Sequence, residues 1–329
     1  MRIDQLGLNS SSIKYTLRYI NSNLKKNNKN NQFEKLVDIT KKHNLAGCEF
    51  PYFRFFNHSD DINKIKNVIK INKIKFCLLD GYKFLNHNEI VKLIPLSKSL
   101  NNNFIRIKTS NILSCDRRLV KYKWSTHIKK VSTKLKKLVP ILRDNEMKLA
   151  IENHQDLDSD DIVNIIDSVG EEYIGLNFDV GNSFATCEFV SEFINKLSKN
   201  ILNIHLKDYL ICPSKKGFYL ARCPIGQGNV NIESFFKAIK KSESNPKIFI
   251  ELGALEAREI KINNNSFWKY FNKNRYKKSK SFFDFINEKK RYNASKNFRT
   301  PYEENFNLSK IITYENKQIK DSINYLKKI

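Results

Sequence analysis

Short apolar or β-branched runs alternate along the chain with longer segments whose apolar residues recur at helical spacing. This is the pattern of βα units that feed a parallel sheet. Eight strand-like runs are read: Ile3 to Leu8, Leu45 to Phe50, Ile74 to Leu79, Phe104 to Lys108, Lys148 to Glu152, Ile174 to Asp179, Leu202 to Leu206 and Lys247 to Glu251. Among the intervening segments, Trp124, Ile128, Val131, Leu135, Leu138 and Leu142 share one face of a helix predicted from Lys123 to Arg143. Another is predicted from Asp160 to Val169, with Ser159 before it as a residue of capping type.

Eight repeats suit closure into a single (β/α)8 barrel, and 329 residues accommodate one barrel with an extension. An open doubly wound sheet is the alternative. It lacks its best support, because the first strand runs into Gly7-Leu8-Asn9-Ser10-Ser11-Ser12 and not into a G-x-G-x-x-G turn. The repeat is interrupted after the eighth strand, where the segment from about Ile262 to Arg299 is aromatic and basic. A helix from Leu308 to Lys328, within residues 300–329, then closes the barrel. An insertion at the eighth βα connection lies on the face where barrel enzymes carry their chemistry, which suits a lid or an oligomer arm. A long loop packed by its own aromatics is the plainer reading. Base stacking on a single strand is a third, since basic and aromatic residues interleave.

Composition changes the picture in one respect. The formal charge of +25 suggests nucleic acid as a partner. The lysines, however, are scattered through almost every predicted helix beside asparagine, as in the run from Lys25 to Asn31, and this distribution fits a solvated surface better than a binding stripe. The six cysteines form no C-x-x-C pair and fit reduced thiols. No stretch reaches the ~20 apolar residues that span a bilayer, and the run from Met1 to Gly7 contains no apolar signal region. The expectation is a soluble, cytoplasmic protein.

The chemistry resides at the strand ends. In a parallel barrel all C-terminal strand ends face one mouth, so residues far apart in sequence converge there. The fifth run ends Ile151-Glu152-Asn153-His154, the sixth Phe178-Asp179-Val180-Gly181-Asn182, the seventh Ile204-His205-Leu206-Lys207-Asp208 and the eighth Ile250-Glu251-Leu252-Gly253. Three carboxylates gathered without a cation would repel one another and resist ionisation, whereas a divalent ion uses their oxygens. Carboxylates with one imidazole suit one Mn2+, Mg2+, Co2+ or Zn2+ ion. Glu152, Asp179, His205 and Glu251 are the expected ligands.

With Pro224-Ile225-Gly226-Gln227-Gly228-Asn229-Val230 added, these runs in this order resemble the xylose isomerase-like TIM-barrel superfamily, and within it the sugar phosphate isomerase/epimerase group. The resemblance is specific from Leu149 to about Arg258 and architectural before that. It implies a metal ion held by the four residues, a small carbohydrate-like substrate, and Glu152 and Glu251 exchanging a proton with a substrate carbon through an enediolate. A lyase that decarboxylates or dehydrates a sugar acid is the alternative on the same site. Many relatives carry His three residues after the sixth-strand Asp, and this chain has Asn182, which cannot titrate near neutral pH. That change, and the shortage of mouth histidines, count against the endonuclease IV branch. A binding-only protein is a further reading.

Six more residues are candidate substrate contacts. His154, Asn182 and Lys207 follow the metal-type residues closely, and Lys207 has Asp208 as an alternative partner. Arg222 and Arg258 flank the eighth strand, and a guanidinium forks onto a carboxylate or phosphate. Glu49 ends the second run and is read either as a hydroxyl acceptor or as a salt-bridged rim residue. The glycines of Gly226-Gln227-Gly228 are read as structural.

Overall fold

The computed structural model describes residues 2–17, 30–56, 61–81, 85–242, 244–272, 274–294 and 297–329. Residues 25–29 of the lysine- and asparagine-rich run lie outside the described residues. Eleven strands are formed among the described residues: β1 Leu6–Asn9, β2 Gly47–Pro51, β3 Phe76–Asp80, β4 Phe104–Ile107, β5 Lys148–Glu152, β6 Ile174–Asp179, β7 Ile201–Leu206, β8 Asp208–Ser214, β9 Gly217–Cys223, β10 Lys247–Ile250 and β11 Arg258–Ile260. Eight of them close a parallel barrel in the order β1-β10-β7-β6-β5-β4-β3-β2. Closure is direct, because β1 pairs with β10 on one side and with β2 on the other. The fold is the expected (β/α)8 barrel, and the open sheet is set aside.

The barrel floor is packed with side chains. Phe76 and Phe249 meet edge to face at 5.4 Å beside Leu78, Phe104 and Ala150. Two inward positions carry no side chain to make room: a Cβ on Gly7 would stand 2.4 Å from the Phe249 ring, and one on Gly47 2.3 Å from the Phe76 ring. Outside the strands, a continuous apolar layer joins the barrel to its helices. Burying this layer supplies the main driving force for the fold.

Several boundaries differ from the pattern reading. Ile3–Gln5 forms a 3-10 turn, so the first strand begins only at Leu6. The helix expected from Lys123 to Arg143 is two helices, Trp124–Lys136 and Val139–Asp144. Pro140 stands in the first turn of the second, where a missing N–H is tolerated and where it cannot continue the first. The helix Ser159–Val169 is capped by Asp158, which accepts from Asp161 N in a capping box, and Ser159 is its first residue.

The largest departure follows β7. Strands β8 and β9 form an antiparallel hairpin, and β11 joins it in the order β11-β9-β8, a small sheet beside the barrel that the eight-run reading did not include. The aromatic and basic insertion is largely helical, with Asn265–Trp268, Arg275–Lys278 and Lys280–Tyr292. Phe267, Phe271, Phe282 and Ile286 are buried. Phe282 meets Phe184 and Phe189 of the barrel connections, so the aromatics pack on each other and on the barrel. The closing helix Leu308–Leu326 is fixed by Glu315, which accepts from the amides of Tyr15 and Thr16 and from the Thr16 hydroxyl. Among the described residues no helix is long and apolar enough to cross a membrane.

Candidate metal centre

Strand register delivers the acidic and imidazole groups to one level of the barrel. Asp179 closes β6 opposite His205 on β7, and Glu152 closes β5 opposite Asn177. Glu251 follows β10 directly, its amide donating to Leu206 O at 3.0 Å. Each of the four offers a ligand atom, and these atoms lie within 4.8 Å of one another. All four side chains are buried. Among the described residues this is the one cluster of that kind.

The donor set fits a divalent ion. The oxygen Asp179 Oδ1 is buried with no hydrogen-bond partner, while Oδ2 accepts from Asn182 Nδ2 at 2.5 Å and stands 2.6 Å from Lys207 Nζ. Buried acceptors left unmade are costly, and a cation satisfies them. His205 Nε2 lies 2.8 Å from Glu49 Oε2, and Nδ1 lies 2.8 Å from Glu251 Oε2. Glu49 thus holds one ring nitrogen, the usual arrangement behind a metal-binding histidine, and leaves Nδ1 on the side of the other three residues.

Electrostatics differ from the expectation of carboxylates that all resist ionisation. Burial, with the Glu251 and Glu152 charges adding to it, pushes the Asp179 carboxyl up to about 7 even beside Lys207. Burial opposes ionisation of Glu152 as well, yet the Arg106 guanidinium holds it down at about 2. Glu251, likewise buried, is kept well below the usual carboxylate range by Lys207 and His205. Burial disfavours charge on His205, but Glu49 and Glu251 raise its pKa well above the ordinary value. Protein cations therefore share the work assigned to the metal alone.

Arg106 is a candidate site residue that the sequence reading missed. Its side chain is buried inside the barrel, with Nη1 3.0 Å from both Asp80 Oδ1 and Glu152 Oε2 and Nε 3.6 Å from Glu49 Oε1. The signal was present: an arginine within the otherwise apolar fourth strand, Phe104-Ile105-Arg106-Ile107, is expensive unless paired. Asp80, at the end of β3, was also missed and faces the mouth.

A cavity of about 380 Å³ opens above the cluster, and Glu152, Glu251, His154, Asn182, Lys207 and Arg222 are among its lining residues, as is Arg258. Two expectations are corrected. Glu49 does not line this cavity: it is salt-bridged as expected, to Arg106 at 3.6 Å, but it is fully buried and not at the rim, accepting from Asn9 Nδ2 at 3.0 Å and facing His205. Lys207 does not pair with Asp208. It stands between Asp179 and Glu251, whereas Asp208 accepts the amides of Gly226, Gly228 and Val230. This is why the turn needs its glycines: Gly226 has φ +87°, and a Cβ on Gly228 would meet Asp208 Oδ1 at 2.1 Å. Arg258 pairs with Glu256 at 3.1 Å, and Arg222 donates to Leu252 O at 2.9 Å.

The family model described as xylose isomerase-like TIM barrel matches residues 37–265. The chain belongs to this family. A curated relative, 3-oxo-isoapionate decarboxylase of Pectobacterium atrosepticum, is 23% identical over 119 residues, 36% of this chain and 43% of the relative, so the match spans less than half of that protein. In solved structures the fold is similar to a D-psicose 3-epimerase determined in the presence of D-fructose, with TM-score 0.59, 11% identity, and coverage of 96% of this chain and 97% of that one. It is also similar to a xylose isomerase-like TIM barrel protein from Mycobacterium smegmatis in complex with magnesium, with TM-score 0.58, 13% identity, and coverage of 87% and 97%. At these identities the structural likeness speaks for the fold. The resemblance read from the strand-end motifs is thus to the right family.

Proposed function

We propose that the chain is a metal-dependent isomerase or epimerase of a small polyhydroxy carbonyl compound, with Glu152 and Glu251 as its acid/base pair. The observation that carries this reading is that both glutamates line one cavity while also belonging to the four-residue cluster. Bound there, a divalent ion would be held by Glu152, Asp179, His205 and Glu251 and would supply a Lewis acid beside the substrate's oxygens.

The chain's own residues account for the proton transfers. Both glutamates are kept ionised, Glu152 by Arg106 and Glu251 by Lys207 and His205, so either can accept a proton from the carbon next to a carbonyl. The C–H electron pair moves into the carbonyl and gives an enediolate, and return of a proton to the other face or the other carbon gives the epimer or the isomer. Asn182 anchors Asp179, and Glu49 fixes the His205 ring, which leaves the two glutamates to do the exchange.

A lyase on the same site is the second reading. The match to a decarboxylase favours it, as does Arg222 at the cavity, where a substrate carboxylate would be gripped. The two readings separate in one experiment. Metal-loaded protein is incubated in deuterium oxide with a panel of ketoses, sugar acids and sugar phosphates and followed by NMR. Deuterium at the carbon beside the carbonyl, lost in Glu152→Gln and Glu251→Gln, supports the isomerase; stoichiometric carbon dioxide or water loss supports the lyase. One bound metal equivalent with neither signal across the panel would overturn the proposal.

A further inference from the structure

The cavity above the cluster has more positive charge than its acids can neutralise. Arg106 is committed to Asp80 and Glu152, Lys207 to Asp179 and Glu251, and Arg258 to Glu256. Arg54 lines the cavity too and has a partner of its own, whereas Lys14, after the 3-10 turn Ser10–Ile13, and Lys108, just after the fourth strand, line it with no ion-pair or hydrogen-bond partner for their ammonium groups among the described residues. Arg222 reaches the cavity from β9 with a single backbone acceptor, and its Nε is buried without a partner. These cations are close enough to feel one another. Burial, followed by repulsion from Arg222, Lys108 and Lys207 that Glu251 only partly offsets, lowers Lys14 to about 7. Clustering uncompensated cations in a partly desolvated site weakens the fold and is relieved when an anion enters.

We propose that the substrate carries an oxyanion, a carboxylate or a phosphate monoester, which is seated by Lys14, Lys108 and Arg222 while the carbonyl end lies over the glutamates. This rests on the isomerase reading for the carbonyl end only. Arg222 supplies a planar fork, and the two ammonium groups supply charge without fixed direction, a combination that suits either oxyanion. A neutral sugar would leave all three cations unmatched.

The test is calorimetric titration of the metal-loaded full chain with inorganic phosphate, D-gluconate and D-fructose. Binding of phosphate or gluconate at least tenfold tighter than fructose supports the proposal, and whichever of the two binds more tightly identifies the source of the oxyanion. Lys14→Met and Lys108→Met are each expected to weaken that binding by about tenfold or more, the value of one charge-assisted hydrogen bond, with metal stoichiometry unchanged. Wild-type affinity is expected to fall as sodium chloride rises, a readout that survives should either variant fold poorly. Fructose binding as tightly as both anions, or anion binding indifferent to salt and to both variants, overturns it. Deuterium exchange is read separately: loss of exchange with anion binding intact would sink the isomerase reading and leave this one standing.

Discussion

The ammonium nitrogen of Lys207 lies 2.6 Å from Oδ2 of Asp179, so one of the four candidate ligands carries its own counter-ion inside the barrel. The same nitrogen stands 3.1 Å from Glu251 Oε2. Without metal, Lys207 is the charge that keeps these two carboxylates from repelling each other, and with metal it becomes partly redundant. Lys207→Met is therefore expected to destabilise the metal-free protein by about 3–5 kcal/mol, the usual cost of breaking a buried pair from one side. A metal ion should then restore more stability to the variant than to the wild type. Thermal melts in chelator and in excess Mn2+ check this, and equal metal-induced shifts in the two proteins would contradict it.

Arg106 has the corresponding role on the opposite wall. Glu49, Asp80 and Glu152 share its one guanidinium, so Arg106→Leu leaves three buried carboxylates facing one another. We expect a loss of about 3–5 kcal/mol in chemical denaturation. Adding Asp80→Asn should recover part of it by removing one charge. Arg106→Lys should rescue poorly, because a single ammonium cannot reach partners spread along the guanidinium fork. Full rescue by lysine would show that charge alone matters there.

The barrel and the four candidate ligands were legible in sequence because each rests on a strong local signal: eight apolar runs, and an ionisable residue at the end of four of them. What was missed depends on partners. Nothing near Glu49 in sequence places it behind His205, a relationship made by β1, β2 and β7 converging. Lys207 beside Asp208 looked like a local pair, but Asp208 opens β8 and its carboxylate is taken by the amides of Gly226, Gly228 and Val230, a turn that the local sequence does not place there. The hairpin was readable in principle, since Gly217-Phe218-Tyr219-Leu220-Ala221 and the run before it flank a short turn, but an eight-run count leaves no place for it. Arg106 needed only the rule that a charge inside an apolar strand must have partners.

Lys14 gives the cavity a pH signature. Its pKa in the folded chain is about 7, and in an unfolded chain a lysine titrates near ~10.4. Between these values the unfolded state binds one more proton than the native state, so stability should rise with pH across that window. Charging Lys14 costs the fold below it. Relative to Lys14→Met, the wild type is expected to gain stability from pH 7 toward pH 10. Phosphate should flatten the gain by favouring the charged amine. The groups that face Lys14 are Arg222, Lys108 and Lys207, with Glu251 and Glu315 opposing them. Parallel pH–stability curves for the two proteins without anion would refute the assignment.

The insertion is fixed to the barrel by a buried ion pair, which decides between a brace and a lid. Arg275 Nη1 lies 3.1 Å from Glu188 Oε1, and its Nη2 donates to Thr186 O at 2.9 Å. Glu188 also accepts from the Ser159 amide and from the hydroxyls of Ser159 and Thr186, so every partner is inside. A lid must detach at little cost to open, whereas this contact leaves a buried carboxylate unmatched if it parts. Arg275→Met is expected to lower global stability by about 3–5 kcal/mol, and Arg275→Met with Glu188→Gln should recover part of the loss because both charges are gone. The denaturant slope should stay unchanged, since the insertion unfolds with the barrel. A variant of wild-type stability whose insertion amides exchange faster with solvent would instead identify the segment as a detachable cover over the mouth.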